Sequence, residues 1–168
     1  MKNDDCIFCK IIDGKCPSYK IYENEFVYAF LDISKDCYGH TLVVPKTHAT
    51  SILDCDDKYL CETIKAVKKI AKHYVDDCGF KGVNVINASG EEAQQSVFHL
   101  HFHILPRTSK TEFNAFPKLC GTDVSFEQQL EKLKLDWWAR LMACFLLRLN
   151  FIVFAKTILA QFLFFCQK

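Results

Sequence analysis

The chain has 168 residues, room for one domain of ordinary size with a sizeable buried core. Half the residues are apolar and 24% charged, with 6 Gly and 4 Pro, which excludes a disordered, collagen-like or linker-dominated chain. A formal net charge of +1 leaves no basic footprint for nucleic acid.

The charge is unevenly placed. Residues 137–168 carry Arg140, Arg148, Lys156 and Lys168 and no acidic residue, so residues 1–136 hold 17 basic against 20 acidic groups. Ten cysteines would suit a disulfide scaffold in a secreted chain. The N-terminus, MKNDDCIFCK, is polar and lacks the apolar core of a secretory signal, so the expectation is a cytoplasmic protein with free thiols.

In chain order, Tyr19–Tyr22 and Phe26–Ile33 read as strands joined by the polar turn Glu23-Asn24-Glu25. His40-Thr-Leu-Val-Val-Pro45 is rich in β-branched residues, and Pro45 should end it. A helix fits residues 57–77, where Leu60, Ile64, Val67, Ile70, Ala71 and Tyr74 recur at helical spacing. Asp54, Asp56 and Asp57 load its start with negative charge and Gly79 is placed to stop it. Val83–Ala88 and Val97–Leu105 read as two further strands, the second ended by Pro106. Ser125 with Gln128 resembles a capping box for a short helix reaching about Leu135. The fold class is α+β, with an antiparallel sheet of about five strands, one long helix and one or two short ones.

The chemistry concentrates in Gln95-Ser-Val-Phe-His99-Leu-His101-Phe-His103-Ile-Leu-Pro-Arg107. On a strand, His99, His101 and His103 would share one face, about 6.6 Å apart at successive positions. Phe98, Leu100, Phe102 and Ile104 would take the other face as core. Three imidazoles in register suit either of two chemistries. One is a catalytic metal site with an open position. The other is nucleophilic attack on phosphorus, with a neighbouring imidazole bonding the phosphate oxygens. Gln95-Ser96 favours the second, because it sets a hydroxyl and backbone N–H groups where an anion could sit. No carboxylate lies nearby in the sequence to serve a hydrolytic metal as base.

This segment resembles the His-φ-His-φ-His-φ-φ motif (φ apolar) of the histidine triad family, and its Hint branch in particular. Cys6-Ile-Phe-Cys-Lys-Ile-Ile12, Phe30-Leu-Asp-Ile-Ser34, Gly39-His-Thr-Leu-Val-Val-Pro-Lys-Thr-His48 and Phe113-Asn-Ala-Phe-Pro117 match in the same order. The likeness runs from about residue 4 to 135. It implies a histidine triad domain over residues 1–135, hydrolysis at the α-phosphate of a purine nucleotide through a nucleotidyl-histidine intermediate, and a homodimer. Purine nucleoside phosphoramidates would be the substrates. A dinucleoside polyphosphate hydrolase of the Fhit type and a nucleotide-binding scaffold with little turnover remain the rivals.

Residue by residue, the resemblance makes His101 the nucleophile, its second nitrogen held by a main-chain carbonyl. His103 would bond the α-phosphate oxygens and Ser96 the phosphate or departing group. His40 takes the family's fourth histidine position, with a plain strand-initiating histidine as the alternative. Asp32 would accept from the ribose hydroxyls, unless it only caps the strand end. Asn87 would position the phosphate end or merely shape its loop. Gln95 and Val97 would contact the nucleotide; Phe8, Ile11, Phe30 and Ile33 would line the base pocket. Cys6, Cys9, His48 and His99 match a structural zinc set, with free thiols as the alternative; no catalytic metal or organic cofactor is expected. Gln94 departs from the family, which commonly has Gly there.

Residues 136–168 extend past the family's usual end. In the window 149–165 about eleven apolar residues favour membrane insertion at roughly −0.4 kcal/mol each, against about 3 for Lys156. A membrane anchor, an interface helix and read-through sequence all stay open for this tail.

Overall fold

Long apolar runs such as Thr41–Pro45 ask for cover on both faces of a sheet, and the fold supplies it. In a computed structural model, which describes residues 3–34 and 36–135, the sequence forms five strands and three α-helices. They are α1 (Ile7–Ile12), β1 (Lys20–Glu23), β2 (Val27–Leu31), β3 (Thr41–Pro45), α2 (Asp57–Asp76), β4 (Gly82–Ile86), β5 (Phe102–Arg107) and α3 (Phe126–Leu133), with a 3₁₀ turn at Glu91–Ala93. One sheet holds all five strands in the order β1-β2-β3-β5-β4, every pair antiparallel. The expected α+β architecture and strand count hold.

The chain divides into two compact units, Met1–Pro117 and Lys118–Lys168. The sheet and the first two helices belong to the first. Helix α3 belongs to the second and carries the expected capping box, Ser125 and Gln128 each bonding the other's backbone N–H. The tail beyond residue 135 lies outside the described residues, within which no helix is long and apolar enough to cross a membrane.

Period-2 alternation splits the sheet's side chains between two cores. On one face Val27, Ala29, Val43, Phe102 and Ile104 pack against Ala66, Val67, Ile70 and Tyr74 of α2. On the other, Tyr28, Phe30, Leu42 and Val44 pack against Cys6, Phe8 and Cys9 around α1. Burying one such aliphatic side chain contributes roughly 1.5–3 kcal/mol, so both faces favour this register. The buried stripe on α2 is Thr63, Ala66, Val67, Ile70 and Tyr74, with Leu60 packed beside it; Val67, Ile70 and Tyr74 are as expected, Thr63 and Ala66 are not, and Ile64 is exposed. Thr63 can be buried because its hydroxyl donates to the Tyr59 carbonyl at 2.7 Å.

The last strand departs most from expectation. Strand β5 begins only at Phe102, and the segment before it is irregular. A tight turn, in which the His99 N–H donates to the Val97 carbonyl at 2.8 Å, breaks the alternation. Phe98 is therefore 50% exposed rather than core, while Leu100, Phe102 and Ile104 are buried. The three histidines do not share one strand face. Strand β4 also ends at Ile86, freeing Asn87 from the sheet.

Candidate active site

Of the three histidines only His103 lies within β5, opposite Leu42 of β3 and Ile86 of β4. His101 immediately precedes the strand, and its ring lies 4.9 Å from that of His103. Both face a cavity of about 680 Å³, together with His40, Asp32, Ser96 and Val97. Phe8, Ile11, Phe30 and Ile33 line it as well, Ile33 while 82% exposed. Ile7, the Cys16-Pro17-Ser18 loop, Leu31, Ser34, Asp36 and Leu42 complete the lining and were not expected from the sequence.

Hydrogen bonds to main-chain carbonyls settle the protonation of the central histidine. His101 Nδ1 lies 2.7 Å from the His99 carbonyl oxygen. A carbonyl only accepts, so Nδ1 carries the proton and Nε2 presents a bare lone pair. Burial holds the His101 pKa below its ordinary value, which keeps that lone pair free.

His103 is set the other way. His40 Nε2 and His103 Nδ1 are 2.8 Å apart and share one proton. Nδ1 of His40 is buried with no partner, and Asp36 Oδ2 at 3.9 Å is beyond bonding range. An orphaned lone pair is cheaper to bury than an orphaned N–H. His40 therefore donates from Nε2, where Asp32 Oδ2 at 3.6 Å also favours the proton, and His103 keeps its own on Nε2. One imidazole at the cavity offers a lone pair and its neighbour an N–H. Burial, with His101 and His40 alongside, pushes the His103 pKa down to about 4.

The fold brings in a carboxylate that the local sequence lacks. For Asp32, burial alone would raise the pKa. The Ser34 backbone and side-chain bonds and the nearby imidazoles outweigh it and lower the pKa, so the group is ionised at neutral pH. Asp32, His40 and His103 are close enough together to hold an ion. The 2.8 Å between the two nitrogens is shorter than the roughly 3.3 Å edge of a tetrahedral zinc site, and a shared proton explains it better.

Two expected contacts fall outside the cavity. Gln95 is buried, but its side chain accepts from the Gly90 N–H and donates to the Thr50 and Val97 carbonyls, and its own N–H donates to Gly90. The expected anion-facing N–H at Gln95 is thus already committed to the loop. Asn87 donates to the His101 carbonyl at 2.8 Å and accepts from Ser89, so it holds the His101 backbone.

His99 leaves the cavity altogether. Its Nε2 lies 3.0 Å from the Pro45 carbonyl and must carry the proton, which bares Nδ1. That nitrogen is 3.4 Å from Cys6 Sγ, 3.6 Å from Cys9 Sγ and 3.3 Å from His48 Nδ1; Cys9 Sγ is 3.5 Å from His48 Nδ1. Tetrahedral zinc at ordinary bond lengths has N···N edges of about 3.3 Å and N···S edges of about 3.6 Å. The four separations fit that polyhedron, and all four ligand atoms lie within 4.8 Å of one another. His99 is fully buried, which lowers its pKa to about 4 and keeps its imidazole neutral. Burial also raises the Cys9 thiol pKa, a cost that a cation would reverse. Asn3, which no motif flagged, donates its N–H toward Cys9 Sγ at 3.5 Å.

Comparison with known proteins agrees. The family model for the HIT domain matches residues 13–110. Protein hit of Bacillus subtilis (strain 168) is 50% identical over 107 residues, covering 64% of this chain and 74% of that protein. Adenosine 5'-monophosphoramidase HNT1 of Candida albicans (strain SC5314) is 40% identical over 141 residues, 76% of this chain and 93% of that protein. The crystal structure of a Zn-bound histidine triad family protein from Mycobacterium smegmatis is 30% identical with a TM-score of 0.61, covering 77% and 89% of the two chains.

Proposed function

The chain belongs to the HIT domain family, and from that premise we propose that it hydrolyses purine nucleoside phosphoramidates through a covalent intermediate on His101. The observation that carries this reading is the 2.7 Å bond from His101 Nδ1 to the His99 carbonyl, which leaves Nε2 bare toward the cavity. A similar protein, HNT1 of Candida albicans, is an adenosine 5'-monophosphoramidase.

In the first step Nε2 of His101 attacks the α-phosphorus. The phosphorus–nitrogen bond of the substrate breaks, and the amine leaves with a proton drawn from water. Positive charge on the nucleotidyl-imidazole is shared with the His99 carbonyl through Nδ1–H. His103 donates from Nε2 to a phosphate oxygen as negative charge builds there, an interaction of the oxyanion-hole kind. The Ser96 hydroxyl bonds the phosphate or the departing group. In the second step water attacks phosphorus and loses a proton, giving the nucleoside monophosphate and neutral His101.

Substrate recognition follows the cavity's two characters. Asp32, ionised and acceptor-only, takes the ribose hydroxyls. Phe8, Ile11, Phe30 and Leu42 form an apolar slot for the base. Cys6, Cys9, His48 and His99 would hold structural zinc; two thiolates and two neutral imidazoles close a tetrahedron. When bound, that ion cross-links α1 to the segment before β5 and offers no open position for substrate.

Rapid mixing of the full-length protein with radiolabelled adenosine phosphoramidate, quenched into alkaline denaturant where phosphorus–imidazole bonds persist, tests the reading. Label is expected to attach to wild-type protein within one turnover and to be absent from His101→Ala. Turnover without any protein-bound label would overturn it.

A further inference from the structure

One residue belongs to both sites. His99 offers Nδ1 to the thiols and His48, while its main-chain carbonyl takes the Nδ1–H of His101. Its remaining nitrogen donates to Pro45 in β3, so the ring is held from two sides. Whatever fixes the His99 ring therefore also fixes the oxygen that decides which nitrogen of His101 is bare.

A second link runs through α1. This helix has six residues and no side-chain cap at Cys6. Isolated helices shorter than about 12–15 residues are marginal in water, so α1 depends on its anchors. Those anchors are Cys6 and Cys9, both in the ligand cluster, and Phe8 between them. The Phe8 ring meets His99 edge-on at 5.9 Å, His101 at 5.4 Å and Phe30 at 5.5 Å. Phe8 and Ile11 also wall the cavity. Loosening the two cysteines would free the element that packs on the nucleophile.

We propose that His99 is a positioning residue for the reaction: a cation held by Cys6, Cys9, His48 and His99 orients the His101 imidazole through the His99 carbonyl and Phe8. The idea rests on the metal-binding and phosphoramidase readings above. Outer-shell partners of functional groups typically change rate or affinity by about 10–100-fold when lost. Stripping the metal is thus expected to lower kcat about tenfold or more, with a smaller rise in KM as Phe8 and Ile11 loosen in the base slot while Asp32 and Ser96, not tied to the cluster, keep their contacts.

The experiment uses the full chain, zinc-loaded, chelator-stripped and reloaded, beside the Cys6→Ser/Cys9→Ser variant. Metal content is measured directly, and cobalt substitution reports thiolate ligation through its charge-transfer band. Imidazole ¹⁵N correlation spectra then report the His101 tautomer. In loaded protein His101 is expected to carry its proton on Nδ1 alone; in stripped protein the two nitrogens should average, with recovery on reloading. Verified loss of zinc with His101 and kcat unchanged overturns the coupling and leaves the metal site standing. Failure to bind zinc or cobalt at all overturns both. Label trapping on His101 in the loaded protein tests the enzymatic reading separately.

Discussion

The open cavity and the closed cluster use the same device with opposite results. In each, a main-chain carbonyl takes one N–H of a buried histidine and thereby bares the other nitrogen. For His101 the carbonyl takes Nδ1–H and leaves Nε2 to a cavity. For His99 it takes Nε2–H and leaves Nδ1 to two thiols and a third imidazole. Two residues apart in the chain, identical side chains acquire different chemistry because different oxygens meet them. The surroundings then decide the use: apolar walls and an ionised carboxylate on one side, four converging ligands on the other.

The sharpest way to separate the two regions is to remove one imidazole at a time. His101→Ala is expected to lower kcat by at least about 10³-fold, the scale of losing a nucleophile. Zinc content should stay at the wild-type level, because His101 Nδ1 bonds a carbonyl and not the cluster. Loss of zinc in this variant, measured by elemental analysis, would mean that the two regions cannot be separated. Survival of activity would mean that another group attacks phosphorus.

Acid gives the next contrast. The His103 pKa sits near 4, below the usual 6.5, because burial and the adjacent imidazoles penalise its charged form. Its neutral state is thus favoured by the fold, and the stability this contributes is complete above about 6.5 and is lost as pH falls toward 4. The acid fall in kcat/KM is expected below the ordinary histidine value of about 6.5, because burial lowers the His101 pKa as well. A bend near 6.5 would show that the site is wetter than its packing indicates. Following zinc release across the same range tells whether the acid limb belongs to the cavity or to the cluster.

How much of this was legible beforehand follows from what periodicity can encode. Strand alternation and the apolar recurrence on α2 placed the sheet and the long helix, because burial drives both. Helix α1 was invisible, since six residues without a cap side chain carry too little period. The row at 99, 101 and 103 was expected to share one strand face and does not, because the turn at Val97–His99 is built from backbone bonds. The carbonyls of Pro45 and His99 have no side-chain signature at all, and they are what tell the histidines apart. Gln95 was read as facing the nucleotide, whereas its three side-chain bonds go to backbone groups of Gly90, Thr50 and Val97, which carry no side-chain signature either.

Asp32 offers a smaller test, confined to the cavity. A hydrogen bond to a charged group is worth about 1.5–3 kcal/mol, so Asp32→Asn should raise KM about 10–100-fold for a ribonucleotide substrate. With a 2′,3′-dideoxy substrate the variant and wild type should differ little. Equal penalties on both substrates, read from steady-state kinetics, would place Asp32 in holding His40 rather than in ribose recognition.

The smallest expected effect lies in the loop that leads to both histidines. Gln94 is the one non-glycine described residue with positive φ, at 65°, and it is exposed and outside the cavity lining. That conformation costs a residue with a side chain roughly 1–2 kcal/mol, which glycine avoids. Glycine in turn gives up roughly 0.5–1 kcal/mol of unfolded-chain entropy on ordering. Gln94→Gly is therefore expected to stabilise the fold by about 0.5–1 kcal/mol, seen as a rise of a few degrees in Tm. The bonds that close the loop, from Gly90 N–H to the Gln95 side chain and from Gln95 N–H to the Gly90 carbonyl, do not involve the Gln94 side chain, so kcat should hold. A lower Tm would mean that the Gln94 side chain supports the loop more than its backbone strains it. A changed kcat at unchanged Tm would put that side chain beside the departing group.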